Sequence, residues 1–106
     1  MSYDSVTATD VDPRAPGMHF LRDALDCENL GITLVEADDG WEGMEHDHAE
    51  DGQEEVYLLV DGSATLTVEG ETVDLEPGDA VRVDGSDTRS LSFGADDSRM
   101  VIAGAP

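Results

Sequence analysis

Three side chains close together in the chain carry the chemistry: His46, His48 and Glu55. In an extended segment, residues two apart share a face, so the rings of His46 and His48 can aim at one point. Glu55 opens a Val-, Leu- and Tyr-rich run that ends before Asp61-Gly62, and this run reads as a strand with Glu55, Tyr57 and Leu59 on one face. If that face meets the histidines, two neutral nitrogens and one anionic oxygen converge. Such a donor set suits a divalent transition metal, Zn, Fe, Mn, Ni or Cu. Gln53 and Glu54, just before Glu55, are rival ligands.

The frame around these residues resembles the first motif of the cupins. Gly40 stands six positions before His46, His48 completes a His-x-His, and Glu55 stands seven positions before Gly62. The interval between His48 and Glu55, Ala-Glu-Asp-Gly-Gln-Glu, is longer than the family's usual three or four residues, an insertion that a hairpin connection absorbs at modest entropic cost. A second motif matches in part: Pro77-Gly78-Asp79 is a turn followed by a strand. Counting on from it, the family's fourth ligand, a histidine, falls at position 89, and this chain has Arg89. A guanidinium has no lone pair to give a metal.

Alternation places Arg89, Leu91 and Phe93 on one face. Three roles for Arg89 stay open: a bidentate clamp on a ligand's anionic group beside a three-ligand metal, a neutralising partner for Glu55 or Glu54 in a metal-free pocket, or a side chain bent into solvent. The resemblance with the fourth histidine missing implies an arrangement like the 2-His-1-carboxylate triad with open positions. His19 is a candidate replacement ligand. Tyr57 and Trp41 are expected to fill the barrel, or to line a pocket mouth and join Arg89 in ligand binding.

The elements that must position these residues are short. From Ile32 onward, strand-like runs alternate with turns: 32–36, 46–48, 55–60, 64–69, 72–75, 80–83, 89–93 and 99–103. Asp61-Gly62, between two apolar runs, is a hairpin signal. About eight to ten strands at this spacing, without an amphipathic helix, predict an all-β sandwich or barrel. The cupin resemblance selects a double-stranded β-helix, or jelly-roll barrel, over residues 31–106, preceded by an extended N-terminal arm at 1–30. Asp12-Pro13 and Pro16-Gly17 discourage regular structure in the arm. The resemblance also implies a homodimer, with the arm crossing to a second subunit. Residues 20–25 read equally as a helical turn or a strand.

Composition bounds the partners. The chain of 106 residues carries 26 acidic residues, five arginines and no lysine, for a net charge of −21. Self-repulsion on this scale destabilises the compact state, and a Debye length of about 3 Å near 1 M salt removes most of it. The pattern resembles proteins of salt-accumulating halophiles. Nucleic acid and anionic membrane surfaces are disfavoured as partners because no cluster of Lys and Arg is present. No calcium-loop pattern appears among the acids. The N-terminus lacks a basic region and an apolar core, which predicts a cytoplasmic protein. Cys27 is the only cysteine and reads as a small packed side chain.

Two functions remain open. One is a small cupin that binds a divalent transition metal and a small anionic ligand without assignable catalysis. The other is a metal-dependent enzyme, of dioxygenase or isomerase type, acting on a small carboxylate. A second titratable group aimed at the metal would favour the enzyme, and Glu45 and Glu54 are the candidates.

Overall fold

Alternating burial in the strands builds the molecule. In the computed structural model, which describes residues 2–106, the chain forms β1 (Met18–Phe20), β2 (Gly31–Ala37), β3 (Glu54–Asp61), β4 (Ala64–Val68), β5 (Glu71–Leu75), β6 (Ala80–Val83), β7 (Arg89–Phe93) and β8 (Ser98–Ala105). A short 3-10 turn at Ala8–Asp10 precedes them. Along β3, Tyr57 and Leu59 are buried while Val56, Leu58 and Val60 face outward, the two-residue period of a strand with one face on a core. The same rhythm buries Arg89, Leu91 and Phe93 on β7 and Ser98, Met100 and Ile102 on β8.

These inward faces belong to two antiparallel sheets, ordered β1-β2-β8-β3-β6 and β5-β4-β7. Their core includes Val35, Leu59, Leu66, Leu75, Phe93 and Met100. The result is the expected all-β jelly roll. Among the described residues, no helix is long and apolar enough to cross a membrane.

Two local expectations change. Asp61-Gly62 does not close a hairpin: β3 pairs with β6 and β8, whereas β4 pairs with β5 and β7, so the turn carries the chain from one sheet to the other. Gly62 has a φ of 87° and packs against buried Ser98, whose Oγ accepts the Ser63 N–H at 3.2 Å. The tight hairpin lies instead at Glu69-Gly70, where two consecutive positive φ values, 48° and 80°, join β4 to β5. The His46–His48 region is not a regular strand. It belongs to an irregular lane along β7, bridged at Glu42↔Ser92 and His46↔Arg89, with His46 and Arg89 exchanging backbone hydrogen bonds at 2.9 Å.

Part of the arm joins its own barrel, since β1 is an edge strand on β2 of the same chain. Residues 21–27 form a closed turn rather than a strand: Cys27 N–H reaches the Arg22 carbonyl at 2.9 Å and Asp26 takes a left-handed φ of 55°, a capping geometry used at helix ends. Cys27 is half-buried there.

Candidate metal centre

Glu55 is brought inward by β3, and the two histidines come to it from the irregular lane. His46 Nε2 lies 3.5 Å from Glu55 Oε1 and His48 Nε2 lies 3.6 Å from Oε2. The two rings stand nearly perpendicular, with centroids 5.2 Å apart. One donor atom from each residue falls within 4.8 Å of the others, and among the described residues this is the cluster that could hold a metal ion.

The donor chemistry fits an ion. His46 Nδ1 makes its hydrogen bond to the Met44 carbonyl at 3.2 Å, and His48 Nδ1 to the Asp51 carboxylate at 3.2 Å. Both partners only accept, so each Nδ1 donates, and a ring in its neutral form then turns an Nε2 lone pair toward Glu55. Lone pairs facing a carboxylate repel unless a cation stands between them. Two donors bound tetrahedrally at about 2.1 Å lie roughly 3.4 Å apart, close to the observed separations. Without metal the cation is a proton: the hydrogen bond to Glu55 raises the His46 pKa, over the opposing effect of burial and with help from the Met44 carbonyl. Burial alone would raise the Glu55 pKa, but the bonds to His46 and Tyr57 and the charges of His48 and Arg89 prevail and lower it.

Tyr57 and Arg89 hold Glu55 from behind. The Tyr57 hydroxyl donates to Oε1 at 2.9 Å, and its pKa is pushed up by burial and by the adjacent carboxylate. Arg89 Nη2 lies 3.4 Å from the same oxygen, and Nη1 donates to the Asp87 carbonyl at 2.7 Å. The Arg89 side chain has 0% exposure, and its Nε and Nη2 have no hydrogen-bond partner. The solvent-directed role for Arg89 is therefore overturned. Nor does it reach Glu54, which is exposed and pairs with Arg82 at 3.2 Å. As an anion clamp Arg89 would need to touch a ligand; in this structure its fully buried guanidinium lies against Glu55.

A pocket of about 610 Å³ opens over the centre. Its walls are largely apolar and include Met18, Phe20, Ile32, Trp41 and Leu91. Trp41 is fixed by its Nε1 donation to the Pro16 carbonyl at 2.8 Å and by Phe93, with ring centroids 5.0 Å apart. Gln53 also lines the pocket but stands outside the donor cluster, its amide donating to the Pro106 carbonyl at 3.1 Å. His19 is not the replacement ligand: its Nδ1 bonds the Val11 carbonyl at 2.7 Å, away from the centre. Arg22, which no motif or alternation in the sequence marks, lines the pocket as well.

A two-sheet jelly roll that turns a His-x-His and a glutamate into the mouth of an apolar pocket is the architecture of a cupin. The model of the cupin domain family matches residues 33–102, and the chain belongs to that family. Solved structures agree in fold. A cupin protein from Bacteroides fragilis superposes with a TM-score of 0.76 at 22% identity, covering 99% of this chain and 83% of that one. KdgF from Halomonas sp. gives 0.72 at 22%, covering 90% and 85%. A predicted oxalate decarboxylase from Thermotoga maritima gives 0.72 at 17%, covering 95% and 96%. No curated protein matches the sequence significantly.

Proposed function

We propose that the protein is a small cupin that binds a divalent transition metal through His46, His48 and Glu55 and accepts a small anionic ligand in the pocket above it. One observation carries this reading: two Nε2 atoms, whose rings each place Nδ1 on an acceptor, the Met44 carbonyl or the Asp51 carboxylate, face the Glu55 carboxylate at 3.5 and 3.6 Å. A bound ion would supply a Lewis-acid centre able to polarise a ligand oxygen. Glu55 contributes the anionic donor, kept in place by Tyr57 and offset in charge by Arg89. Trp41 and its apolar neighbours exclude water from the ligand's body. Tyr57 spends its hydroxyl proton on Glu55, so its part in ligand binding is through that carboxylate.

The enzyme reading has one feature in its favour. Glu45 lines the pocket, giving a titratable carboxylate near the triad, whereas Glu54 is committed to Arg82 outside it. A metal-dependent reaction on a small carboxylate would place the proton transfer on Glu45.

Metal analysis of protein purified in molar KCl without chelator tests the assignment. We expect about one transition-metal equivalent per chain, lost in His46→Ala and in His48→Ala. Unchanged metal content in both variants refutes it.

A further inference from the structure

In a chain with 26 acidic residues and no lysine, nearly every arginine has a carboxylate partner. Arg14 pairs with Asp23, Arg82 with Glu54 and Asp84, Arg89 with Glu55 and Arg99 with Glu36. Among the described residues Arg22 is the exception, and Arg22 is the one arginine that lines the pocket. Its neighbour Asp23 is turned away to Arg14 at 2.7 Å. Its backbone is held by the closed turn that Cys27 completes, with Leu21 N–H bonded to the Ile32 carbonyl at 2.9 Å.

The guanidinium lies over a bare strip of the five-stranded sheet. A Cβ at Gly31 would stand 2.7 Å from Arg22 Nη2 and 3.3 Å from Nε. Gly31 pairs with Gly104, and Gly104 with Glu55, so one row crosses three adjacent strands from Arg22's footing to the metal centre. At about 4.8 Å per strand, Gly31 and Glu55 are separated by roughly 10 Å. Between them the Gln53 amide lies flat on Gly104, where a Cβ would stand 2.8 Å from Oε1. The two glycines keep the row low, and Phe20 and Ile32 are among the apolar residues beside it.

We propose that Arg22 is the anion-recognition residue of this pocket, taking the terminal carboxylate or phosphate of an elongated ligand whose other end presents an oxygen donor to the His46, His48 and Glu55 centre. The proposal rests on the metal-binding reading and names the ligand class. A planar fork of donors matches an oxyanion bidentately. In a molecule whose overall field repels anions, this unpaired local cation gives an anionic ligand its point of attachment, and molar salt screens the distant acids more than a contact pair.

The test uses metal-loaded protein in molar KCl and two six-carbon probes that differ only at the far end, 2-oxoadipate and 2-oxohexanoate, with affinities measured by calorimetry. Wild type is expected to bind the diacid roughly ten- to hundredfold more tightly. Arg22→Ala should abolish that preference while leaving metal content and 2-oxohexanoate affinity unchanged, and Arg22→Lys should restore part of it. A phosphonate in place of the distal carboxylate identifies the terminal group, since the tighter of the two marks the natural anion and either supports the proposal. No preference in wild type, a preference that survives Arg22→Ala, or equal loss of both probes overturns it. If wild type carries no metal, the metal reading fails separately. The same comparison on metal-free protein then decides Arg22 by the same criteria.

Discussion

Replacing Arg89 with methionine separates the two roles of the buried cation, support of Glu55 and opposition to a metal ion. At 3.4 Å from Glu55 Oε1, Arg89 gains about 5 kcal/mol of gross Coulomb attraction at an effective dielectric constant near 20. Against this, its Nε and Nη2 are buried without partners, each at a cost of about 1–3 kcal/mol. The substitution leaves Glu55 without its buried partner, so metal-free Arg89→Met is expected to lose about 3 kcal/mol at pH 8. At pH 6 the loss is smaller because a protonated His46 takes over the neutralisation. Metal binding responds in the opposite direction. An ion about 2 Å from Oε1 would lie no more than about 5.4 Å from Nη2, where a divalent and a unit charge repel by about 6 kcal/mol at the same dielectric constant. Even a fraction of that relief tightens metal binding roughly ten- to hundredfold. The assay pairs urea unfolding in molar KCl, with and without metal, with competition against a chromophoric chelator. Weaker or unchanged metal affinity in Arg89→Met refutes the reasoning.

Arg89→His removes the same charge and adds a donor at the family's fourth ligand position, so chelator competition should show tighter metal binding than in Arg89→Met. In the metal-free protein the raised His46 pKa means that its contribution to stability is complete below the unfolded value near 6.5 and is lost as pH rises through the folded pKa. Metal requires the deprotonated ring, so the gain in melting temperature on adding metal should grow as pH rises through that folded pKa, and a gain that shrinks instead contradicts the donor assignment. Gly62→Ala forces a residue with a Cβ into a φ of 87° against Ser98 and should cost about 2–4 kcal/mol in urea unfolding. With a net charge of −21, dilution from 2 M to 0.1 M KCl lengthens screening to about 10 Å and should lower the melting temperature by about 10 °C or more, followed by circular dichroism.

The inward set of β3 and β7 was legible because alternation is a local property: Glu55, Tyr57 and Leu59 share a face, as do Arg89, Leu91 and Phe93. The donor triad was legible from the spacing of His46, His48 and Glu55 in a frame that resembles the cupin motif, although the histidines come to Glu55 from an irregular lane and not from the regular strand that alternation assumes. Asp61-Gly62 misled because a turn signal reports a reversal of the chain and not which strand lies beside it. His19 could be excluded only once its ring was seen on the Val11 carbonyl.

By itself, then, the sequence determined the strand periodicity and an all-β sandwich or barrel, which follow from side-chain type at short range, while its resemblance to the cupins selected the jelly roll and framed the three candidate ligands. Tertiary structure alone decided where the charges went. Arg89 faces inward by parity, but its burial under Glu55 depends on β7 lying in the opposite sheet from β3. Arg22 has no local signal at all. It reaches the pocket because β2, β8 and β3 align Gly31, Gly104 and Glu55 in one row, and a pairing register between distant strands is not encoded in any short stretch of the chain.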